Sequence, residues 1–302
     1  MRIFVTGATG FIGSAVVKEL LGAGHTVLAL ARSDQAARAV AAMGGEAARG
    51  SLEDLASLRR GAEKADAVIH CGFVHDFSKF AENCAVDRAA ILAMGEVLKG
   101  SARPLHVTSG MALKVGGAVG TEDDDAVDPT PGYPRASEPT AMALANQGIN
   151  TAVIRLPPSV HGDGDKAFVP MLIKLAREKG VSSYIGDGAN RWCAVHRLDA
   201  ASLYRAAIEK TKEMGQLAGA RYHGVGDEGV PVREIARAIG AKLGLPVKAI
   251  APEEAGTHFG FLAGFLQMDA PRSSAKTQAE LGWRPTRPGL IADLEKGQYF
   301  EN

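Results

Sequence analysis

A glycine-rich stretch near the first residue constrains the fold more than any other feature of this chain. Residues 7–13 read Gly-Ala-Thr-Gly-Phe-Ile-Gly. The run before this stretch, Arg2 to Thr6, is rich in β-branched and aromatic residues and predicts a strand. The run after it, Phe11 to Leu21, has apolar residues at helical spacing and predicts a helix. The chain therefore begins with a strand, a tight glycine turn and a helix.

This arrangement is typical of a site for a dinucleotide cofactor. The first glycine allows the tight turn, the second lets backbone amides approach a pyrophosphate, and the third permits close packing of helix on strand. The N-terminus of the helix offers unpaired N–H groups and a partial positive charge to the phosphates. The alternative is a tight turn without a ligand. We predict cofactor contacts from six turn residues: Gly7, Thr9, Gly10, Phe11, Ile12 and Gly13.

The end of the second predicted strand, His25 to Leu30, bears on the choice between NAD(H) and NADP(H). Sites that prefer NAD(H) usually place an acidic residue about 20 residues after the turn, where it binds the ribose 2′-hydroxyl. Here that position holds Ala31, followed by Arg32 and Ser33. Both side chains offer hydrogen-bond donors to a 2′-phosphate. In the alternative, Arg32 is solvated and Ser33 or Asp34 caps the next helix. The pattern favours NADP(H), with NAD(H) as the alternative cofactor.

Strand-like and helix-like runs alternate through the first half of the chain, and the strands are almost continuously apolar. This alternation predicts an α/β fold, a Rossmann-type doubly wound parallel sheet with helices on both faces. We assign residues 1–156 to this dinucleotide-binding domain, with 194–226 returning to it. Residues 157–193 and 227–302 form a smaller C-terminal substrate lobe. The predicted helices are Phe11–Leu21, Asp34–Met43, Glu53–Arg60, Phe80–Leu98, Ala136–Gln147, Phe168–Lys179, Leu198–Lys212 and Val232–Leu243.

Composition excludes several classes of partner. Lys plus Arg and Asp plus Glu number 34 each, so the net charge is zero and predicts neither nucleic acid nor an anionic membrane as partner. No run approaches the roughly 18 apolar residues of a membrane span. The N-terminus lacks a signal-peptide pattern, which predicts a cytoplasmic protein. The three cysteines and eight histidines show no disulfide or metal-ligand spacing, so we predict no metal.

Several segments beyond the turn carry a family resemblance. They are residues 50–54 (GSLED), 68–73 (VIHCGF), 107–109 (VTS), 155–162 (RLPPSVHG), 195–199 (VHRLD) and 281–285 (LGWRP). With the turn, they resemble the extended short-chain dehydrogenase/reductases, which include NAD-dependent epimerases, dehydratases and dihydroflavonol-type reductases. The resemblance implies further cofactor contacts from Ser51, Leu52, Gly72, Phe73, Thr108, Leu156 and Pro157.

The chain departs from this family pattern at the catalytic centre. The resemblance implies a Tyr-x-x-x-Lys pair, in which the lysine lowers the pKa of the tyrosine for proton transfer. Counted from Tyr133, the lysine position holds Ser137; an alignment on the Ala-Ser pair puts Glu138 there instead. The upstream serine position falls at Gly110, and the asparagine often found in the preceding helix corresponds to Asp87.

We predict a non-standard catalytic centre. Arg135 supplies the missing positive charge, Tyr133 acts as the acid, and Ser109 or Thr108 polarises the carbonyl. In the alternative, Tyr133 and Arg135 are loop residues at a helix start. The sequence therefore predicts an NAD(P)-dependent oxidoreductase acting on a small carbonyl or hydroxyl substrate. An NAD(P)-dependent epimerase or dehydratase, or a non-catalytic NADP(H)-binding regulatory protein, are the alternatives.

Three residues of the substrate lobe are candidate substrate contacts. His161 stands where the resemblance places a tyrosine near the substrate, and it is otherwise a hydrogen-bonded pocket residue. Arg191 could pair with an anionic group, and the indole of Trp192 could stack on the substrate. An apolar cluster over residues 259–266 predicts core packing, with a lid as the alternative. The resemblance also implies a homodimer formed through the helices predicted at Phe80–Leu98 and Ala136–Gln147.

Overall fold

A seven-stranded parallel sheet forms the centre of the computed structural model, which describes residues 1–114 and 118–301. The strands, in chain order, are β1 (Arg2–Thr6), β2 (Thr26–Ala31), β3 (Glu46–Arg49), β4 (Ala67–His70), β5 (Leu105–Gly110), β6 (Thr151–Leu156), β7 (Ser159–His161), β8 (Ser182–Ile185), β9 (Arg191–His196), β10 (Arg221–His223), β11 (Asp227–Pro231) and β12 (Val247–Ile250). The order in the large sheet is β10-β6-β5-β4-β1-β2-β3. Every neighbouring pair in it is parallel.

Helices cover both faces of this sheet. They are α1 (Phe11–Gly22), α2 (Asp34–Ala42), α3 (Leu55–Glu63), α4 (Phe80–Leu98), α5 (Ser137–Asn146), α6 (Phe168–Lys179), α7 (Arg197–Met214), α8 (Val232–Leu243), α9 (Ala255–Phe259), α10 (Leu262–Leu266), α11 (Ala275–Leu281) and α12 (Leu290–Lys296). Alternate residues of each strand face opposite helical layers. In β1, Ile3 and Val5 pack with α1 and α7, whereas Phe4 packs with α3 and α4. The predicted doubly wound parallel sheet is thus confirmed.

A second hydrophobic core lies in the C-terminal part of the chain. It joins side chains of α6, α8, α9, α10 and α12 around a three-stranded sheet, β11-β9-β7, and a strand pair, β12-β8. Residues 194–226 contribute to the first core, because α7 packs on α1 and β10 is an edge strand of the large sheet. The boundaries that we assigned to the two lobes stay a prediction.

Among residues 1–114 and 118–301, no helix is both long enough and apolar enough to cross a membrane. No group of three or more His, Cys, Asp or Glu side chains in these same ranges is arranged to hold a metal ion.

Candidate nucleotide and catalytic site

The turn between β1 and α1 requires glycine at two of its three glycine positions. Gly7 has φ +68°, and a Cβ there would lie 2.7 Å from the backbone nitrogen of Gly72. A Cβ at Gly13 would lie 2.1 Å from the carbonyl oxygen of Gly7. Gly10 differs, because it is exposed and a Cβ there would have one near neighbour, the Gly7 oxygen at 3.1 Å. The turn is therefore packed by protein on one side and open at Gly10.

The first turn of α1 is electropositive. Gly10 caps the helix without a side-chain hydrogen bond, and no acidic residue lies in the first turn. The guanidinium of Arg197 lies 4.5 Å from the ring centroid of Phe11. It donates to Ser14 Oγ at 3.0 Å and to the Asp163 carbonyl oxygen at 2.8 Å. A cation beside the positive end of a helix is unfavourable unless an anion joins them, and a pyrophosphate is such an anion.

Sequence reasoning missed Arg197. The residue lies at the start of α7, far from the glycine turn in sequence, and α7 packs along α1. Burial lowers the pKa of its guanidinium below the usual value, which indicates that its charge lacks full solvation. A signal was available in the segment 195–199, where an arginine replaces the small apolar residue of the family pattern.

The carboxyl end of β2 presents arginines to solvent. Arg32 is exposed, and Ala31 is in register with Arg49 on the neighbouring strand β3. Arg49 forms an ion pair with the carboxylate of Asp34. Ser33 Oγ accepts a hydrogen bond from the Ala36 nitrogen at 3.1 Å, so this serine caps α2, as in the alternative to a phosphate contact. The one carboxylate that follows β2 directly is therefore neutralised by an arginine.

The segments after β3 and β4 meet beside the turn. A Cβ at Gly72 would lie 3.1 Å from Leu52 Cδ2, so these two predicted cofactor residues are neighbours. The Gly72 nitrogen donates to Thr6 Oγ1 at 3.1 Å. Ser51 Oγ accepts from the Asp54 nitrogen at 3.3 Å. Leu52 and Gly72 thus line one side of the space above the turn.

A buried chain of polar groups runs from β1 to the start of α5. Thr6 Oγ1 lies 2.7 Å from His70 Nδ1, and His70 Nε2 lies 3.1 Å from Asp87 Oδ1. Ser137 Oγ donates to Asp87 Oδ2 at 2.6 Å and accepts from Arg135 Nε at 3.2 Å. His70, Asp87 and Ser137 are each buried. The residues at the family's lysine and asparagine positions, Ser137 and Asp87, are therefore hydrogen-bonded to each other.

Arg135 and Tyr133 lie beside this chain. The Arg135 guanidinium stacks 4.1 Å from the centroid of Phe73, and the Tyr133 ring lies 6.5 Å from that of Phe80. Burial raises the pKa of Tyr133 above its usual value, and the positive charge of Arg135 opposes only part of that rise. At neutral pH the phenol is protonated, so it can donate a proton but is a poor base.

Glu138, the other candidate for the lysine position, has a different partner. Its carboxylate accepts from Arg155 Nε at 2.8 Å and from Arg155 Nη2 at 2.5 Å. Both side chains are buried, and Arg155 Nη1 lies 3.1 Å from His223 Nε2. Removing either partner of a buried ion pair would leave the other charge unpaired, which is strongly destabilising. Glu138 therefore joins α5 to β6.

The end of β5 contributes two hydroxyl groups. Thr108 Oγ1 lies 2.6 Å from the hydroxyl of Tyr204, a fully buried residue of α7. Burial also raises the pKa of the adjacent Cys71 thiol to about 11, so this thiol is protonated at neutral pH. Ser109 is 7% exposed and is followed by Gly110, where a Cβ would have no neighbour within 4 Å. Open space therefore begins directly after Ser109.

The two predicted cofactor residues after β5 lie at the end of the next strand. Leu156 ends β6 and Pro157 follows it, and both side chains are buried. β6 is the neighbour of β5 in the sheet, in a register that sets Gly110 opposite Leu156. Thr108, Leu156 and Pro157 therefore gather at the same edge of the sheet as the glycine turn.

The structure does not bring the three predicted substrate contacts into this space. Trp192 is fully buried, and its Nε1 donates to the Phe265 carbonyl oxygen at 3.1 Å. Arg191 forms a two-pronged ion pair with Asp269, with nitrogen–oxygen distances of 3.0 and 2.8 Å. Arg191 is therefore already paired with a carboxylate, and Trp192 is bonded to a backbone carbonyl oxygen; that Arg191 binds an anionic substrate and that Trp192 stacks on it stay predictions.

His161 is also placed away from an open cleft. Its side chain is fully buried, and Nδ1 lies 2.8 Å from Asp293 Oδ2 on α12. Its ring packs edge-on against that of His196, with centroids 5.4 Å apart. The histidine therefore joins β7 to α12, in keeping with the alternative of a hydrogen-bonded pocket histidine, and the substrate contact stays a prediction.

Comparison with known sequences identifies the family. The profile of the NAD dependent epimerase/dehydratase family matches residues 3–218. The chain belongs to this family. An uncharacterized protein of Schizosaccharomyces pombe is 51% identical over 302 residues, covering 99% of this chain and 100% of that protein. A ketoreductase of Stigmatella aurantiaca that acts on 4-hydroxy-2-methyl-3-oxo-4-farnesyl-3,4-dihydroquinoline-1-oxide is 32% identical, covering 59% of this chain and 56% of the enzyme.

Solved structures of the NAD dependent epimerase/dehydratase family share the fold. UDP-glucose 4-epimerase of Stenotrophomonas maltophilia, solved with NAD and formylated UDP-arabinopyranose, matches with a TM-score of 0.77. The match covers 99% of this chain and 97% of the epimerase, at 16% identity. The resemblance predicted from the sequence segments is confirmed at the level of family and fold.

Proposed function

We propose that this protein is an NADP(H)-preferring oxidoreductase that reduces the carbonyl group of a small molecule. One observation carries the proposal: the Arg135 guanidinium is hydrogen-bonded to Ser137 at the family's lysine position and stacked on Phe73, directly after Gly72 at the turn. A positive charge is thus retained between the nucleotide turn and Tyr133. Similarity to a named ketoreductase supports carbonyl reduction rather than sugar epimerisation.

In the proposed reaction the protein supplies the proton and the charge. When bound, the reduced nicotinamide provides the hydride for the carbonyl carbon. The Tyr133 phenol donates its proton to the carbonyl oxygen, and Arg135 stabilises the phenolate that remains. Thr108 or Ser109, at the open end of β5, orients the carbonyl oxygen by a hydrogen bond. Asp87 and Ser137 hold Arg135 in place.

Three features support NADP(H) as the preferred cofactor. Arg32 is exposed at the end of β2, where a 2′-phosphate would lie. Arg49 lies on the neighbouring strand, and its partner Asp34 is the carboxylate that could otherwise bind a 2′-hydroxyl. A guanidinium binds a phosphate through two parallel hydrogen bonds, whereas an NAD(H) site needs a free carboxylate at this place.

The test compares Tyr133→Phe and Arg135→Ala with the unmodified protein in steady-state oxidation of NADPH with a panel of ketones and aldehydes. Each variant is expected to lower kcat by about a hundredfold with little change in Kd for NADPH, because Tyr133 protonates the reacting oxygen and Arg135 stabilises the phenolate that this leaves. Arg135→Lys is expected to restore part of the rate. Tyr184→Phe, a half-buried tyrosine of β8, serves as the matched control.

Three results would overturn the proposal in different ways. A loss below about tenfold in Tyr133→Phe would remove the tyrosine from proton transfer. NADPH binding without turnover of any carbonyl compound would favour the regulatory alternative. Product formation without net NADPH consumption would favour an epimerase or dehydratase, which recycles its cofactor.

We also propose a cytoplasmic location and a homodimer. The presence of three unpaired thiols, at Cys71, Cys84 and Cys193, is in keeping with a reducing compartment. The dimer would form through α4 and α5, which already pack closely, since a Cβ at Gly95 would lie 2.5 Å from Leu144 Cδ1. Light scattering of the purified protein measures its molar mass and so tests the homodimer directly.

A further inference from the structure

Six aromatic side chains form a connected cluster that starts beside the nucleotide turn. The centroid distances are 6.2 Å for Phe73–Phe80, 5.9 Å for Phe77–Phe80 and 6.5 Å for Phe80–Tyr133. These separations are typical of contacting aromatic rings. Since Phe73 follows Gly72 directly, the cluster continues from the turn to the proposed acid. Its members, which we call the aromatic cluster, are Phe73, His75, Phe77, Phe80, Tyr133 and Phe261.

The loop that carries most of the aromatic cluster has a defined conformation. Asp76 Oδ1 accepts from the Ser78 nitrogen at 3.0 Å and from Ser78 Oγ at 2.6 Å. The Asp76 carbonyl oxygen accepts from Asn83 Nδ2 at 2.9 Å, which ties the loop to α4. The rings of residues 73–80 therefore project from a backbone that side-chain hydrogen bonds hold in place.

Two rings of the aromatic cluster meet across the two lobes and remain accessible. Phe77 is 46% exposed and Phe261 is 60% exposed. Their centroids lie 6.4 Å apart with an interplanar angle of 29°. Phe261 lies between two buried residues, Phe259 and Leu262, and follows Gly260, whose φ of +57° ends α9. The bend at Gly260 thus directs Phe261 toward Phe77, while Phe259 and Leu262 pack in the second hydrophobic core.

The cationic side chains of this region are already engaged by neighbouring groups. Arg135 has one face covered by Phe73 and donates to Ser137. Lys79, in the loop itself, interacts electrostatically with Asp76. Arg191, the lobe arginine that could hold an anionic substrate, is paired with Asp269. A substrate with a diphosphate would need free cations here, whereas an apolar group would gain contact with several rings.

We propose that the aromatic cluster binds the apolar part of the substrate, so that the substrate is a ketone or aldehyde carrying an aromatic ring or a similar apolar group. Its ring would pack against the exposed sides of Phe77 and Phe261, with the carbonyl directed to Tyr133 and Arg135. The inference rests on the proposed function, because it assigns the substrate class of the same site. Exposed aromatic side chains that converge on a reactive centre are a feature of apolar ligand sites.

The first experiment compares acetone with acetophenone in NADPH-dependent reduction. The value of kcat/KM is expected to be about a hundredfold higher for acetophenone. Phe77→Ala and Phe261→Ala should each raise KM for acetophenone about tenfold and leave the Kd for NADPH unchanged. Met214→Ala, which removes a 59% exposed apolar side chain at the end of α7, is the control and should change nothing.

The second experiment separates the substrate class from the reaction. Titration calorimetry measures binding of 1-phenylethanol to the protein saturated with NADPH, a pair that cannot exchange a hydride, so this readout needs no turnover. Binding that weakens about tenfold in Phe261→Ala supports the inference even when no ketone is reduced, in which case the proposed function alone fails. Absence of 1-phenylethanol binding to the unmodified protein overturns the inference. Binding by both aromatic variants that is as tight as binding by the unmodified protein also overturns it.

Discussion

At the scale of single residues, the candidate site differs from a tyrosine–lysine pair in where its positive charge lies. Arg135 is two residues after Tyr133 rather than four, and it reaches Ser137 at the fourth position through a hydrogen bond. Burial raises the pKa of Tyr133 by more than the charge of Arg135 lowers it, whereas the family's lysine is expected to bring the tyrosine pKa down. Such a phenol is suited to donate a proton during reduction and poorly suited to accept one during oxidation.

Because the phenol donates a proton more readily than it accepts one, carbonyl reduction and alcohol oxidation should depend differently on pH. A tyrosine whose pKa is raised above its usual value stays protonated through neutral pH, so the reduction rate should be constant from about pH 6 to pH 9. Oxidation of the alcohol by NADP⁺ requires the phenolate and should rise with pH to beyond about pH 10. Steady-state pH profiles in both directions measure this, and Tyr133→Phe should lose the alkaline rise. An oxidation rate that levels off near about pH 7 would contradict the assignment.

The sequence pattern predicted candidate site residues and contained no indication of their hydrogen-bond partners. Arg135, predicted to replace the lysine, stacks on Phe73, and its catalytic role with Tyr133 stays a prediction. The bond between Ser137 and Asp87 joins positions 50 apart. The ion pairs of Arg191 and His161 likewise involve acidic residues far along the chain. No local sequence pattern indicates which polar side chain is already hydrogen-bonded or ion-paired to a residue far away in the chain.

At the scale of secondary-structure elements, α1 and α7 together form the electropositive end of the cofactor site. The start of α1 lacks an acidic residue, and Arg197 at the start of α7 lies over Phe11. The N-terminus of α1 and the guanidinium of Arg197 are therefore both positive at the place where the pyrophosphate is proposed to bind. We therefore expect Arg197 to be a second cationic contact of the nucleotide besides Arg32.

Arg197→Ala is therefore expected to weaken NADPH binding by about tenfold, with a smaller dependence of Kd on salt concentration. Fluorescence titration at two ionic strengths measures both effects. Arg205→Ala is the matched control, because Arg205 also lies on α7 and pairs with Glu19 of α1, but on the outer part of the helix. Equal effects of the two variants would mean that Arg197 only stabilises the packing of α7 on α1.

Helical periodicity predicted the longer helices well. Several short strands carry no comparable sequence pattern and were not predicted. The helices predicted over 80–98, 168–179 and 232–243 are found with those bounds. The edge strand Glu46–Arg49 has no apolar alternation and is only partly buried, so it depends on its pairing with β2. The strands of three or four residues in the C-terminal part are likewise defined by their neighbours in space rather than by their own composition.

At the scale of the whole molecule, the candidate site lies where two hydrophobic cores adjoin. The first core holds the sheet and α7, and the second holds the C-terminal helices. Arg197 connects Ser14 of α1 to Asp163 of the segment after β7, and Phe77 stacks on Phe261. A cofactor on the turn and a substrate in the aromatic cluster would thus contact both halves of the chain.

The most direct test of this account is a fluorescence titration of the purified protein with NADPH and then with NADH. Tighter binding of NADPH than of NADH, by about tenfold or more, is expected from a 2′-phosphate held by Arg32. Arg32→Ala, at an exposed position, should remove this preference without unfolding the protein. Binding of neither nucleotide would contradict the account, because the glycine turn would then be a structural feature and the proposed reaction would lose its hydride source.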